Sequence, residues 1–157
     1  MIAGPTRIYL DNCCLGRPFD DMDQDRIRFE AEAVLLVEKR IKEGLVTWVT
    51  SQALIEECSN NSNSDAREHF QLLLEYVGEV VVLESHDTAR AKKLYLAGMG
   101  MFDALHLVAA EVGYCDVLLT TDDKFIKKAA RAGGESLSVK VMNPVDWLRK
   151  VINDENK

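Results

Sequence analysis

The 157-residue chain has only 3 prolines and 9 glycines, and neither gathers into a low-complexity tract. With 29% charged and 47% hydrophobic residues, a collagen-like or disordered chain is excluded. Long apolar runs are missing as well. The longest near a terminus is Ile8 to Leu10, whereas a membrane span needs about 20 residues. The N-terminus lacks the basic start and apolar core of a secretory signal, so the expected location is the cytoplasm. The four cysteines, Cys13, Cys14, Cys58 and Cys115, form no C-x-x-C pair, and His69, His86 and His106 are scattered. A zinc site wants close pairs at defined spacing, so reduced, partly buried thiols are expected instead. Basic residues are also short, 19 against 26 acidic, for a net charge of −7. That argues against broad binding to a nucleic-acid backbone. The deficit is uneven: residues 1–60 carry −4, residues 61–120 carry −5 and residues 121–157 carry +2.

What is present is an alternation of short β-rich runs with helical periods. Arg7–Asp11, Val46–Ser51, Val80–Glu84, Asp116–Thr121 and Ser138–Met142 read as strands. Between them, Gln24–Glu43 repeats Ile27, Ala31, Val34, Leu35 and Ile41 near a 3.6 period, and Gly44 stops it. Further helices are expected around Ala53–Cys58, at Asp65–Val77 with Ser64 as cap, at Asp87–Leu96 and at Phe102–Val112. A helix over Asp122–Ala132 closes on Gly133-Gly134, and the last one opens at Asn143-Pro144 and runs through Val151. Five strands interleaved with helices mean an α/β fold with a mainly parallel sheet, in one domain spanning residues 1–157.

In open α/β sheets ligands bind beyond the carboxyl ends of the strands. Acids crowd there. Asp11 ends the first strand, Asp122 and Asp123 follow the fourth, and Glu56 and Glu57 lie on the helix after the second. Asp103 opens the helix before the fourth strand, with His106 on its face three residues on. Carboxylates gathered at one rim raise one another's pKa or require a cation, and an all-oxygen set suits Mg²⁺ or Mn²⁺. Each acid has a plainer reading too: Asp122, Asp123 and Asp103 suit helix N-termini, and Glu56 or Glu57 suits a solvated face. Asp11 is the hardest to explain that way. Lys124, Lys127, Lys128 and Arg131 follow Asp122 at helical spacing, as a phosphate track or a solvated face, and Arg17 lies in the loop after Asp11.

Together these segments resemble the PIN-domain ribonucleases, the family of the VapC-type toxins. Ile8-Tyr9-Leu10-Asp11-Asn12 is similar to the family's first strand, and Ser51 to Glu57 to its S-x-x-x-x-x-E segment. Asp103-Ala104-Leu105-His106 is similar to its D-A-x-H helix start, and Asp116 to Phe125 to its closing D-x-L-x-T-x-D segment. The resemblance implies a three-layer α/β/α sandwich and RNA cleavage by a metal-activated water. It implies Asp11, Glu57, Asp103 and Asp122 as holders of Mg²⁺ or Mn²⁺; Arg17, His106, Lys124, Lys127, Lys128 and Arg131, read from their positions alone, are candidate RNA contacts with a surface or structural role as the plainer reading. It further implies homodimers and often a small antitoxin partner, as in type II toxin–antitoxin pairs. The acidic loop Arg17-Pro18-Phe19-Asp20-Asp21 departs from the common toxins. A catalytically inactive RNA- or protein-binding module of the same fold is the alternative. A phosphotransferase or receiver domain is disfavoured, because Cys13 stands where such phosphatases need a second Asp and the third and fifth strands end in Glu84 and Met142.

Overall fold

The computed structural model describes residues 4–132 and 138–157. Five parallel strands, β1 (Thr6–Leu10), β2 (Val46–Ser51), β3 (Glu79–Val81), β4 (Val117–Leu119) and β5 (Lys140–Met142), form one sheet in the order β3-β2-β1-β4-β5. Helices cover both faces, giving the three-layer α/β/α architecture. They are α1 (Asn12–Gly16), α2 (Asp25–Lys42), α3 (Gln52–Ser59), α4 (Ser64–Leu73), α5 (Ser85–Leu96), α6 (Met101–Val112), α7 (Asp123–Ala132) and α8 (Pro144–Glu155). Short 3-10 turns at Arg17–Phe19 and Leu74–Tyr76 complete the path. Among the described residues no helix is long and apolar enough to cross a membrane.

The central strands carry Ile8, Tyr9, Leu10, Val49, Leu118 and Leu119, all fully buried, as a sheet covered on both faces requires. α2 packs inward through Ala31, Ala33, Val34, Val37 and Ile41. The expected period holds, but Leu35 is exposed and two acids, Glu30 and Glu38, occupy the buried stripe. Each has polar partners, some from other elements. Arg17 Nε and Arg26 Nε approach Glu30 at 3.1 Å each, Asn143 Nδ2 donates to it at 2.6 Å, and His69 Nε2 stands 2.6 Å from Glu38. Gly44 ends α2 with φ of 74°, a left-handed turn that glycine adopts without a Cβ penalty.

Several boundaries differ from the sequence expectation. Residues 12–19 are helical rather than loop, because Asp11 caps α1. Asn63, not Ser64, caps α4: its Oδ1 accepts from the backbone N–H groups of Asp65 and Ala66. That helix gives way to a 3-10 turn at Leu74 rather than running to Val77. β3 starts and stops early because its only neighbour, β2, ends opposite Val81, and Glu84 is taken up in a reciprocal capping box with Asp87. β4 is confined to Val117–Leu119, and α8 runs on to Glu155. The Gly133-Gly134 stop lies outside the described residues.

The chain builds β1, β2 and β3 outward in one direction, then returns to place β4 and β5 on the other side of β1. The order therefore reverses between β1 and β4, and the crevice beyond their carboxyl ends is where such sheets bind ligands.

Candidate active site

Asp11 stands at that reversal. Its backbone N–H donates to Leu119 O at 3.2 Å, continuing the β1–β4 seam by one residue. Its Oδ1 accepts from Cys14 N–H at 2.9 Å as the cap of α1. The Cys13 thiol lies 3.2 and 3.1 Å from the two carboxylate oxygens and 3.3 Å from Thr120 Oγ1. Asp11 is only 4% exposed. Burial raises its pKa, and the Thr120 hydroxyl, the Cys14 N–H, the Cys13 thiol and nearby His106 offset part of that rise. The same burial, with the Asp11 charge, pushes the Cys13 thiol up to about 11, so it remains a protonated donor.

Asp122 follows β4 on a turn in which its N–H donates to Thr120 Oγ1 at 3.1 Å. Its Oδ1 accepts from Lys124 N–H at 2.9 Å, capping α7. Asp123 turns away: both of its oxygens receive the Arg26 guanidinium at 2.8 Å. Asp103 lies in the first turn of α6, half-buried. Its pKa is pushed up to about 6, first by burial, then by the charges of Asp122 and Asp11, with His106 and Lys128 opposing. Asp122 and Asp11 thus lie within electrostatic range of Asp103, and Thr120 meets both Asp11 and the Asp122 N–H.

Glu57 joins it through a relay. Ser51 Oγ accepts from Leu54 N–H at 3.1 Å as the cap of α3 and lies 2.7 Å from Tyr9 Oη. Tyr9 Oη is 2.7 Å from His106 Nδ1, and His106 Nε2 is 3.4 Å from Glu57 Oε2. One proton assignment satisfies every member: Ser51 donates to Tyr9, Tyr9 to Nδ1, and Nε2–H to the carboxylate. Burial raises the Tyr9 pKa, which keeps its phenol a donor. Glu57 is thus oriented from β1, β2 and α6, while Glu56 is exposed. Sequence reasoning read Tyr9 only as a strand residue. The signal for its role was a hydroxyl inside an apolar strand, which needs a partner when buried.

The basic residues divide. Lys128 acts on Asp103, whereas Lys127 acts on Asp123. Lys124, Lys127, Lys128 and Arg131 all lie at the surface. Arg17 is committed to Asp20 at 2.9 Å as well as to Glu30.

Among the described residues no three Asp, Glu, His or Cys side chains stand close enough together to hold a metal ion. Asp11 and Asp122 are instead turned onto backbone N–H groups of their own helices. The donor set nonetheless fits a hard divalent cation. It is entirely carboxylate oxygen, the chemistry such ions prefer.

A PIN domain family model matches residues 8–131. The fold is similar to three solved structures. One is FitAcB from Neisseria gonorrhoeae, at 15% identity and a TM-score of 0.55, with 87% of this chain and 97% of that one covered. Another is VapBC2 from Rickettsia felis, bound to a DNA fragment from its promoter, at 14%, 0.53, 88% and 98% respectively. The third is PAE2754 from Pyrobaculum aerophilum, at 17%, 0.50, 92% and 94%. No curated protein sequence matches the chain.

Proposed function

This chain belongs to the PIN-domain family, and from that premise we propose that it is a divalent-metal-dependent endoribonuclease. The observation that carries the reading is the acid cluster at the β1–β4 reversal, with Asp103 pushed up to about 6 partly by its neighbours' charges. Asp11, Glu57, Asp103 and Asp122 would hold Mg²⁺ or Mn²⁺. Such an ion, when bound, supplies positive charge to the scissile phosphate and lowers the pKa of a water that serves as nucleophile.

The chain's own residues do the rest. The caps at Asp11 and Asp122 fix those carboxylates at the strand ends, and the Ser51–Tyr9–His106 relay orients Glu57. Lys124, Lys128 and Arg131, spaced along one face of α7, would guide the RNA backbone toward the cluster, with Lys127 on the neighbouring face. Phosphate contacts of this kind position the strand without reading its sequence. A second copy of this chain and a small antitoxin are the proteins we expect to meet it, as membership of the family suggests.

The non-catalytic alternative is favoured by one observation, the engagement of Asp11 and Asp122 as helix caps. Cleavage of an unstructured RNA with Mn²⁺, with EDTA and with Asp11→Asn separates the two readings. Cleavage is expected only for the wild type with Mn²⁺. No cleavage in any arm, together with a melting temperature indifferent to Mn²⁺, would leave a binding module.

A further inference from the structure

Beside Asp11 lies a cavity that the proposed chemistry does not use. It has a volume of about 240 Å³ and is lined by Asn12, Cys13, Phe19, Asp20, Asn61 and Asn63, among others. That is below the range of pockets for drug-sized molecules and suits a single nucleoside. Cys13 forms part of its wall and also touches both oxygens of Asp11, so the cavity adjoins the acid cluster directly.

The wall presents groups of one kind. Asn63 Oδ1 is fixed by two backbone donors, Asp65 N–H at 2.9 Å and Ala66 N–H at 3.1 Å. Asn61 Oδ1 accepts from Asn63 N–H at 2.9 Å, and Asn12 Oδ1 receives the Cys58 thiol at 3.4 Å. Each carbonyl accepts at least one hydrogen bond, which assigns the amide orientation and leaves the NH₂ groups of these three cavity-lining residues as its candidate donors. One acceptor accompanies these three donors. Asp20 gives Oδ2 to Arg17 at 2.9 Å and keeps Oδ1. Phe19, 5.4 Å from His69 in a T-shaped ring pair, supplies the cavity's aromatic wall.

Phosphate is a poor occupant. The nearby cations are engaged, Arg17 with Asp20 and Glu30, and Arg67 with the Asn61 carbonyl at 2.5 Å, while a carboxylate sits in the wall. A neutral, planar ligand with more acceptors than donors fits better. The pairing edges of uracil and cytosine each offer two acceptors and one donor, whereas guanine's offers one acceptor and two donors and adenine's one of each. Unpaired bases are read in RNA by this combination of aromatic stacking and edge hydrogen bonds.

We propose that this cavity is a subsite for one unpaired pyrimidine next to the scissile phosphate. The proposal rests on the ribonuclease reading for the word scissile, but binding of the base does not depend on cleavage. The substrate class is therefore single-stranded RNA, or a loop, with a pyrimidine flanking the cut.

The test needs no metal. The four nucleosides, and ribose alone, are titrated into isotope-labelled protein while the side-chain NH₂ resonances of Asn12, Asn61 and Asn63 are followed. Uridine and cytidine should move these resonances saturably, the purine nucleosides at least about tenfold more weakly, and ribose not at all. Asn63→Ser keeps an oxygen to cap α4 and removes the amide donor, so pyrimidine binding should weaken about tenfold with the melting temperature nearly unchanged. Asn63→Asp, which caps equally well and replaces the donor with an acceptor, should weaken it further. Resonances indifferent to pyrimidine nucleosides, or moved as much by purines or ribose, would overturn the subsite whatever RNA cleavage shows. Pyrimidine binding that survives both Asn63 variants unchanged would overturn it too. Saturable pyrimidine binding lost in both variants, in a protein that cuts no RNA, would uphold the subsite and sink the ribonuclease reading alone.

Discussion

Replacing Asp103 with Asn should stabilise the metal-free protein near neutral pH. The folded state holds this carboxyl at about 6, against an ordinary value of 3.8. Each pKa unit is worth about 1.36 kcal/mol, so the charged form costs at most about 3 kcal/mol at pH 7. Asp103 is only half-buried, and solvent screening brings this nearer about 1–2 kcal/mol. The N-terminus of α6 favours a negative charge by about 0.3–1 kcal/mol, which Asn gives up. The net gain is therefore about 1 kcal/mol, or a rise of about 2–4 °C in melting temperature for a chain of this size. The sign follows from proton linkage. With its folded pKa raised, the native state binds more protons than the unfolded chain between about pH 4 and 6. Wild-type stability therefore falls as the pH climbs through that window, and the benefit of Asn should fade as the pH drops from 6 toward 4. Mn²⁺ reverses the ranking: at a hundred times its Kd it stabilises a one-site protein by about 2.7 kcal/mol, and Asp103→Asn should forfeit most of that. Calorimetry with EDTA across pH 4–7.5, and then with Mn²⁺, measures both effects. A substitution that lowers the melting temperature equally at every pH would refute the electrostatic cluster.

Three other outcomes are expected. Asp11→Asn and Asp122→Asn should each abolish metal-dependent RNA cleavage with the fold intact, because Asn caps a helix about as well as Asp. Asp123→Asn, which only loosens the fork to Arg26, should keep most activity, and the reverse ranking in a cleavage assay would reassign the fourth ligand. His106→Ala should weaken Mn²⁺ binding about tenfold by calorimetric titration, with Tyr9→Phe acting in the same direction, since partners that orient a ligand typically matter at that scale; unchanged affinity in both would show that the relay is structural only. Neutralising Lys124, Lys127, Lys128 and Arg131 one at a time should lower the slope of log affinity against log salt by about one wherever the side chain neutralises a phosphate, with Lys127, the residue that acts on Asp123, changing it least.

Much of this was legible in the sequence because the period-2 and period-3.6 signals of the core are local. The strand and helix order, the parallel sheet and the rim at which the acids gather all follow from it. Three kinds of feature were not legible. Caps decided boundaries by single side-chain oxygens: Asn63 displaced Ser64, and Asp11 turned an expected loop into α1. Pairing partners decided strand lengths, as where β3 stops opposite the end of β2. Tertiary partners hid two acids, since nothing local to Glu30 or Glu38 announces Arg17, Asn143 or His69. The resemblance already prefers Glu57 to Glu56; what it does not reveal is that Glu57 faces a histidine 49 positions away.

The β1–β4 seam also bears on how the molecule comes into being. β1 is made first, yet one of its two neighbours belongs to the last third of the chain: Arg7 N–H meets the Asp116 carboxylate across 109 positions. Pairings so distant in sequence close late and slow folding. On a ribosome, β1 and β2 can pair while β1 still shows an open edge, and Asp11 waits without Thr120, Asp103 or Asp122 for most of synthesis. The proposed activity would therefore stay latent until the segment through Asp122 has been made and paired with β1. Nascent chains arrested before Asp116 should accordingly show neither cleavage nor protection by Mn²⁺, and an arrested chain that cleaved RNA would contradict this order of assembly.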